Sequence, residues 1–373
     1  MKRLRIAAVW LLLFVLAGCA TLPPVSELPE SFQLEKVGSV TAHSPLAWHP
    51  DGRRYAVAAH GLMVGQLNGE SRVIGQGHPT AIAWSPTGTF LAAAFISGNV
   101  TTVTILDAVD WSQVAEVPVE GKVHDLAWLK DGELVFAAVT VKKFNFGGNY
   151  SVRLYHWRQN EELKFAIIAD TSPLKSTLAA LSDTVYDTVH LQVSPFKDEI
   201  VFTRLMAPPN VDPHYQLLVR HLVSGQERLV SKLPLGSHGG RYLPDGDALF
   251  YSDGRYQSIA GSIWGTESYE TYPAGLQLET SPGGRFKLID NQLFRDKTVQ
   301  LRFARIDSAA FSPDGSRLLF IADKKLYLLS SFDDQAVQRV SISPRLLELR
   351  RWRSEGLITP QEFIKYYQQL ELN

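Results

Sequence analysis

The sequence predicts an all-β fold, a seven-bladed β-propeller followed by a small C-terminal α-hairpin. Three observations carry that expectation. Seven segments repeat one pattern: a few apolar residues, a turn often built on Pro-Asp-Gly, and a second apolar run. The turn positions stand 36, 44, 65, 49, 38 and 31 residues apart, mostly near the roughly 40–50 residues of a four-stranded blade. After Pro344 the β pattern stops and a helical period takes over.

The chain opens with Lys2, Arg3 and Arg5, an apolar run from Ile6 to Leu16, then Ala17, Gly18 and Cys19. Positive residues, a short greasy stretch and small residues mark an export signal. The run is shorter than the roughly 20 apolar residues that span a bilayer. Cys19 is the only cysteine in 373 residues. Leu16-Ala17-Gly18-Cys19 resembles the lipobox of bacterial lipoproteins. The resemblance implies removal of signal peptide 1–18, a diacylglycerol thioether on Cys19 and a fatty acyl chain such as palmitate on its new amine. Membrane lipid then becomes a partner through acylated Cys19. Ala20 stands where an aspartate commonly retains such proteins in the inner membrane, which implies an outer-membrane protein facing the periplasm. The alternative is an ordinary secretory signal with a chance cysteine, or a short N-terminal membrane helix. Residues 19–31 carry Pro23, Pro24 and Pro29 and are expected to form a semi-rigid spacer between lipid and fold.

Composition excludes several classes. Removing residues 1–18 takes away three basic residues and no acids, leaving 34 Lys+Arg against 38 Asp+Glu, a net charge of −4. Such a chain lacks the electrostatic footprint of a nucleic-acid binder. With Cys19 acylated no thiol remains for a disulfide, so stability must come from a large core, which 45% hydrophobic content can supply.

The repeats fill residues 32–343. They are Leu46-Ala47-Trp48-His49-Pro50-Asp51-Gly52, Ile82-Ala83-Trp84-Ser85-Pro86-Thr87-Gly88 and Leu126-Ala127-Trp128-Leu129-Lys130-Asp131-Gly132. Then come Leu191-Gln192-Val193-Ser194-Pro195, Arg241-Tyr242-Leu243-Pro244-Asp245-Gly246, Glu279-Thr280-Ser281-Pro282-Gly283-Gly284 and Ala310-Phe311-Ser312-Pro313-Asp314-Gly315. Proline pre-sets φ in a turn and cannot enter a central ladder, while glycine accepts positive φ. Each motif therefore ends one strand and starts another. The runs that follow, such as Leu134-Val135-Phe136-Ala137 and Leu318-Leu319-Phe320-Ile321, are β-prone. Asn68-Gly69 and Ser97-Gly98-Asn99 supply further hairpin turns. Phe32–Val40 and Val337–Ser343 both look like strands, and either could close the ring.

These turns and strands resemble WD-repeat propellers, and more closely the propeller of the periplasmic Tol-system protein. No Trp-Asp dipeptide occurs, so the strand ending of true WD repeats is missing. The 65-residue interval holds an insertion across residues 141–190. Within it, Phe144–Tyr150 is rich in aromatic residues and glycine, and Ser172–Leu181 has helical composition behind Thr171, a possible cap. Such an insertion reads either as a recognition loop or as a solvated loop with a covering helix.

In residues 344–373, Leu346, Leu349 and Trp352 line one side of a predicted helix over 345–355. Gly356 stands at its C-terminal cap position. Thr359-Pro360-Gln361-Glu362 is a capping box with proline at the first helical position, and Phe363, Tyr367 and Leu370 form the next apolar stripe. Leu349, Gly356-Leu357-Ile358-Thr359, Glu362-Phe363 and Leu370 resemble the bacterial short C-terminal domain called SHOCT. Trp352, Phe363, Tyr367 and Leu370 are the candidate partner-binding residues, engaging envelope proteins or a second copy. The alternative is that they pack on the propeller wall.

Catalytic motifs are missing: there is no His-Glu-x-x-His, Gly-x-Ser-x-Gly, phosphate loop or paired-cysteine metal motif. No catalytic residue, metal or cofactor is assigned. His43, His78, His124, His190 and His238 stand 7, 8, 6, 5 and 6 residues before the turn position and are each expected to precede a blade's inner strand. In WD repeats a histidine in that connection makes structural hydrogen bonds, and Gly77-His78 matches their Gly-His dipeptide. The alternative is a histidine ring at a channel mouth that binds metal or responds to pH. The function expected is a lipid-anchored periplasmic β-propeller acting as a protein-binding or assembly scaffold in the cell envelope. The alternative is an envelope enzyme or ligand-binding protein acting on a carbohydrate or peptide at the channel mouth.

Overall fold

In the computed structural model, the repeat turns join an inner strand to the strand beside it. The structure describes residues 24–331 with interruptions, of which 175–189 is the longest, together with Trp352, residues 357–359, Glu362 and Tyr366. The first strand, β1 (Phe32–Ser39), belongs to the last sheet. Sheet 1 holds β2 (Leu46–Trp48), β3 (Arg54–Ala58), β4 (Leu62–Gln66) and β5 (Ser71–Gly75). Sheet 2 holds β6 (Ala81–Trp84), β7 (Phe90–Ser97), β8 (Val100–Asp107) and β9 (Gln113–Glu120). Sheet 3 holds β10 (Lys122–Trp128), β11 (Leu134–Phe144), β12 (Gly147–Trp157) and β13 (Lys164–Leu174). Sheet 4 holds β14 (Leu191–Val193), β15 (Glu199–Met206), β16 (His214–His221) and β17 (Glu227–Leu233). Sheet 5 holds β18 (Gly240–Tyr242), β19 (Ala248–Ser252), β20 (Arg255–Ile259) and β21 (Ser268–Pro273). Sheet 6 holds β22 (Leu278–Thr280), β23 (Phe286–Ile289), β24 (Gln292–Arg295) and β25 (Thr298–Arg302). Sheet 7 holds β26 (Ser308–Phe311), β27 (Arg317–Ala322), β28 (Lys325–Ser331) and, on its outside, β1.

All pairings are antiparallel. Six sheets take four consecutive strands each, and the seventh is assembled from both ends of the described chain. The innermost strands touch in the order β2, β6, β10, β14, β18, β22, β26 and back to β2, enclosing a channel. This is a β-propeller. The closing strand is β1, whose Phe32 pairs with Ser331 and Ser39 with Lys325; the other candidate, 337–343, lies outside the described residues. Pairing β28 with β1 removes the sheet edge that β28 would otherwise present.

The core lies between neighbouring sheets, which explains the continuous apolar runs. Leu91, Ala92, Ala93 and Ala94 of β7 are fully buried because sheets 1 and 3 cover both faces of sheet 2. Sheet 7 meets sheet 1 through Leu319, Ile321 and Leu326 against Trp48, Tyr55 and Val57. Phe320 of sheet 7 is fully buried on its opposite face, 5.0 Å from Phe303 by ring centres.

The serine before the turn proline has a structural task. Ser85, Ser281 and Ser312 are buried, and their hydroxyls accept the N–H of Phe90, Phe286 and Arg317 at 2.9, 2.9 and 3.0 Å. Each thereby caps the start of the next strand. Gly88 closes its turn by donating to Ser85 O at 2.8 Å with φ +73°. A Cβ there would fall 2.3 Å from Nε2 of His49, so only glycine fits between sheets 1 and 2.

Two segments differ from the sequence expectation. Thr171–Leu174 is the end of β13 rather than a helix cap and first turn, because Thr171 pairs with Tyr150 and Leu174 with Gly148 across the sheet. Cross-strand bonds to β12 override a local helical composition; residues 175–189 lie outside the described residues. Phe144 and Gly147–Tyr150 are likewise ladder and not an open loop, with Phe144 paired to Gly147; Asn145 and Phe146 lie outside the described residues. Strands β11, β12 and β13 are 11 residues each, whereas no other described strand exceeds 8, so sheet 3 is the longest of the seven. The expected semi-rigid spacer is in part docked on the fold: Val25 is buried against Phe303 and its neighbours, because an apolar side chain there finds an apolar rim.

Candidate functional site in the central channel

An inner strand has a hydrogen-bonded strand on one side and neighbouring sheets against its two faces, so its remaining exposure is to the channel. The residue three before each turn position is half-buried in every sheet. It is Ala47, Ala83, Ala127 and Ala310 in sheets 1, 2, 3 and 7, and Gln192, Arg241 and Glu279 in sheets 4, 5 and 6. The channel wall therefore has an alanine arc and a polar arc.

Along the alanine arc the following tryptophans stitch sheet to sheet. Trp48 Nε1 donates to Ala310 O at 2.9 Å and Trp128 Nε1 donates to Ala83 O at 3.1 Å. Trp84 keeps the position but not the bond. Its Nε1 is buried without a hydrogen-bond partner among the described residues, and the ring of His49 stands edge-on to it at 4.6 Å. The neighbouring turn is held by Asp51. Burial alone would raise its carboxyl, yet the N–H groups of Arg53 and Arg54, the Arg54 guanidinium and His49 together hold it well below the usual range.

Along the polar arc the side chains do the stitching. Asp125 sits where β10 breaks register between Val123 and Leu126, and its Oδ2 accepts the Leu191 N–H at 3.0 Å. Gln192 Oε1 accepts the Tyr242 N–H at 2.7 Å. Arg241 donates through Nε to Leu278 O at 2.6 Å and pairs with the Glu279 carboxylate. His190 brings Nδ1 to 3.8 Å from Asp125 Oδ2, too long for a hydrogen bond. Burial pushes the Glu279 carboxyl up to about 7, and Asp125 adds to the rise while Arg241 opposes it. Desolvation prevails over the ion pair. Glu279 is thus half-protonated near neutrality, able to accept or donate one proton beside a fixed cation.

Of the histidines singled out by sequence, only His190 joins this cluster. His124 lies inside β10 and not before it, because the strand starts at Lys122 to pair with Val139. His78 is exposed, and His43 and His238 lie outside the described residues. No group of three His, Cys, Asp or Glu able to hold a metal occurs among the described residues. Leu16, Ala17, Gly18, Cys19, Phe363, Tyr367 and Leu370 also lie outside them. Trp352 is 39% exposed. Around it, Leu357 N–H donates to Trp352 O at 2.8 Å, and Thr359 and Glu362 exchange the two capping-box bonds, Thr359 N–H to Oε2 at 2.8 Å and Glu362 N–H to Oγ1 at 3.2 Å. Among the described residues, no helix is long and apolar enough to cross a membrane.

No family model matches the chain, and no curated protein matches it. Among solved structures, a chain of the mitotic checkpoint complex shares 15% identity at a TM-score of 0.56, covering 84% of this chain and 96% of that one. A chain of Kuenenia stuttgartiensis hydrazine synthase shares 14% identity at 0.49, covering 80% and 97%. The Dos1 propeller shares 11% at 0.44, covering 81% and 94%. The likeness to the checkpoint-complex chain is one of fold.

Proposed function

We propose that this protein is a lipid-anchored β-propeller of the bacterial cell envelope, facing the periplasm from the outer membrane, and that it binds other proteins as an assembly scaffold. The observation that carries the scaffold reading is the outer edge of sheet 3. Strand β13 is an 11-residue edge with Phe165 59% and Ile167 57% exposed. Among the described residues β13 is paired only on its β12 side, and a long edge strand with exposed apolar side chains invites pairing with another chain. The guanidinium of Arg153 lies 5.8 Å from the Phe165 ring and the Tyr155 ring 5.7 Å from it, and the Phe165 side chain still keeps more than half of its surface exposed. Among similar folds, one is a component of the mitotic checkpoint complex, which fits a propeller used in assembly. The anchor is supported by the sequence around Cys19, and the SHOCT-like hairpin around Trp352 would offer a second contact for envelope proteins or another copy.

Photo-crosslinking in cells tests the scaffold reading. A crosslinker placed at Phe165 should yield a discrete protein adduct that one placed at Val109 does not, and Ile167→Lys should abolish it. The absence of any adduct at Phe165 would overturn the reading. Labelling with an alkyne fatty acid tests the anchor: Cys19→Ser should lose the label, and equal labelling would defeat it.

A second reading draws on Arg241, Glu279 and Asp125, whose charges could hold a carbohydrate or peptide at the channel. Glu279→Gln should weaken such binding without altering the Phe165 adduct.

A further inference from the structure

The N-terminal segment is fastened to the rim of sheet 6 before it reaches β1. Ala304 N–H donates to Pro24 O at 2.9 Å, and Val25 forms an antiparallel bridge with Phe303. Val25 is 6% exposed, packed in one cluster with Leu288, Leu293, Leu301 and Phe303. Phe32 N–H then donates to Pro29 O at 2.9 Å as the chain turns into β1 on sheet 7. The segment is therefore a strap across the outer rim of two adjacent sheets.

This strap shortens the leash. Only five residue steps separate Cys19 from Pro24, and a fully extended chain covers at most about 3.6 Å per step, so the reach is no more than about 18 Å in any conformation. The headgroup layer on one side of a bilayer occupies roughly 5–8 Å of that reach. What remains is about 10 Å, one sheet-to-sheet spacing.

Resting on the lipid anchor at Cys19, we infer that the rim formed by Pro24, Val25, Leu28, Arg302 and Ala304 is the face held against the bilayer surface. The ring order puts sheets 2 and 3 across the channel from sheet 6, so the edge strand β13 points away from the lipid. Geometry rather than charge sets this orientation. Arg302 and Arg305 are exposed on the rim, but so are Glu27 and Glu30, and Arg305 pairs with Asp307 at 2.7 Å.

The test uses the lipidated full chain, reconstituted in phosphatidylethanolamine–phosphatidylglycerol vesicles that carry a nitroxide-labelled lipid. Cys19 is blocked by its thioether, so a dye reacts only at an introduced thiol, at Arg302→Cys or at Val109→Cys on the far side of the ring (Val109 is 89% exposed). Quenching at 302 should exceed that at 109 several-fold. Inserting about ten Gly/Ser residues after Thr21, a flexible stretch that lengthens the leash, should bring the two values together while flotation with the vesicles is unchanged. Equal quenching at both positions of a protein that floats overturns the orientation. A protein that does not float overturns the anchor itself, and a dye quenched more at 109 reverses the assignment of faces.

Discussion

The two arcs of the channel wall solve one problem with different residues. Sheets 7, 1, 2 and 3 place alanine at the channel position, and in sheets 1 and 3 the indole N–H of the next residue, Trp48 or Trp128, reaches the neighbouring sheet. Sheets 4, 5 and 6 place Gln192, Arg241 and Glu279 there and reach across with side-chain polar groups. The indole solution buries an apolar ring and satisfies one carbonyl. The polar solution desolvates charge, and the cost appears in the raised Glu279 carboxyl. Structure alone is served by the first arrangement, so chemistry is to be sought in the second.

Moving the polar solution into the alanine arc should have the largest effect. Ala47→Glu would force a carboxylate against the apolar side chains that pack sheets 1 and 2 together, and should cost about 3 kcal/mol or more of unfolding free energy. Denaturant melts check this. A loss below about 1 kcal/mol would show that the arcs are interchangeable.

Breaking the polar arc comes next. Arg241→Leu removes the cation beside a desolvated carboxylate and should cost about 2 kcal/mol at pH 8. The cost should shrink at pH 5, where Glu279 is already protonated in the folded protein.

The third experiment sharpens the comparison through pH. Glu279 is raised to about 7 in the fold from the ordinary glutamate value of 4.5. Between those values the folded state holds a proton that the unfolded state has released, so stability falls as pH rises from about 4.5 to about 7 and is level above. The decline amounts to at most about 3 kcal/mol. Glu279→Gln should remove it, which urea melts across that window would read. A slope identical in both proteins would assign the titration elsewhere.

The smallest effect separates two tryptophans of the alanine arc. Trp48→Phe loses a bond and leaves the Ala310 carbonyl without its donor, for about 1–2 kcal/mol. Trp84→Phe removes a buried donor that has no partner among the described residues, and should cost measurably less. Equal losses would mean that ring volume, and not the indole bond, joins the sheets.

The sequence made the repeat visible because proline, glycine and serine each have a physical task in the turn, and Ser85, Ser281 and Ser312 perform it. Gln192, Arg241 and Glu279 were legible in principle. Aligned on the turn, they are the three departures from alanine at one position. Asp125 was not, since it acts from a register break that no spacing announces. Thr171–Leu174 misled because helical composition is a local preference, while the bonds to Tyr150 and Gly148 come from another strand. The docking of Val25 was hidden among prolines that suggest a semi-rigid spacer.

Sheet 7 takes its outer strand from one end of the fold and its other three from the opposite end. Phe32 and Ser331 pair across almost the whole described chain. Bringing such distant points together carries a loop entropy of about 5 kcal/mol, recovered only once the ladder and the contacts with sheets 6 and 1 are in place. The clasp therefore cannot close until β28 has been made. A ribosome or an export channel must release β28 before the circle exists, so the emergence of that one strand sets the earliest moment at which the ring can close.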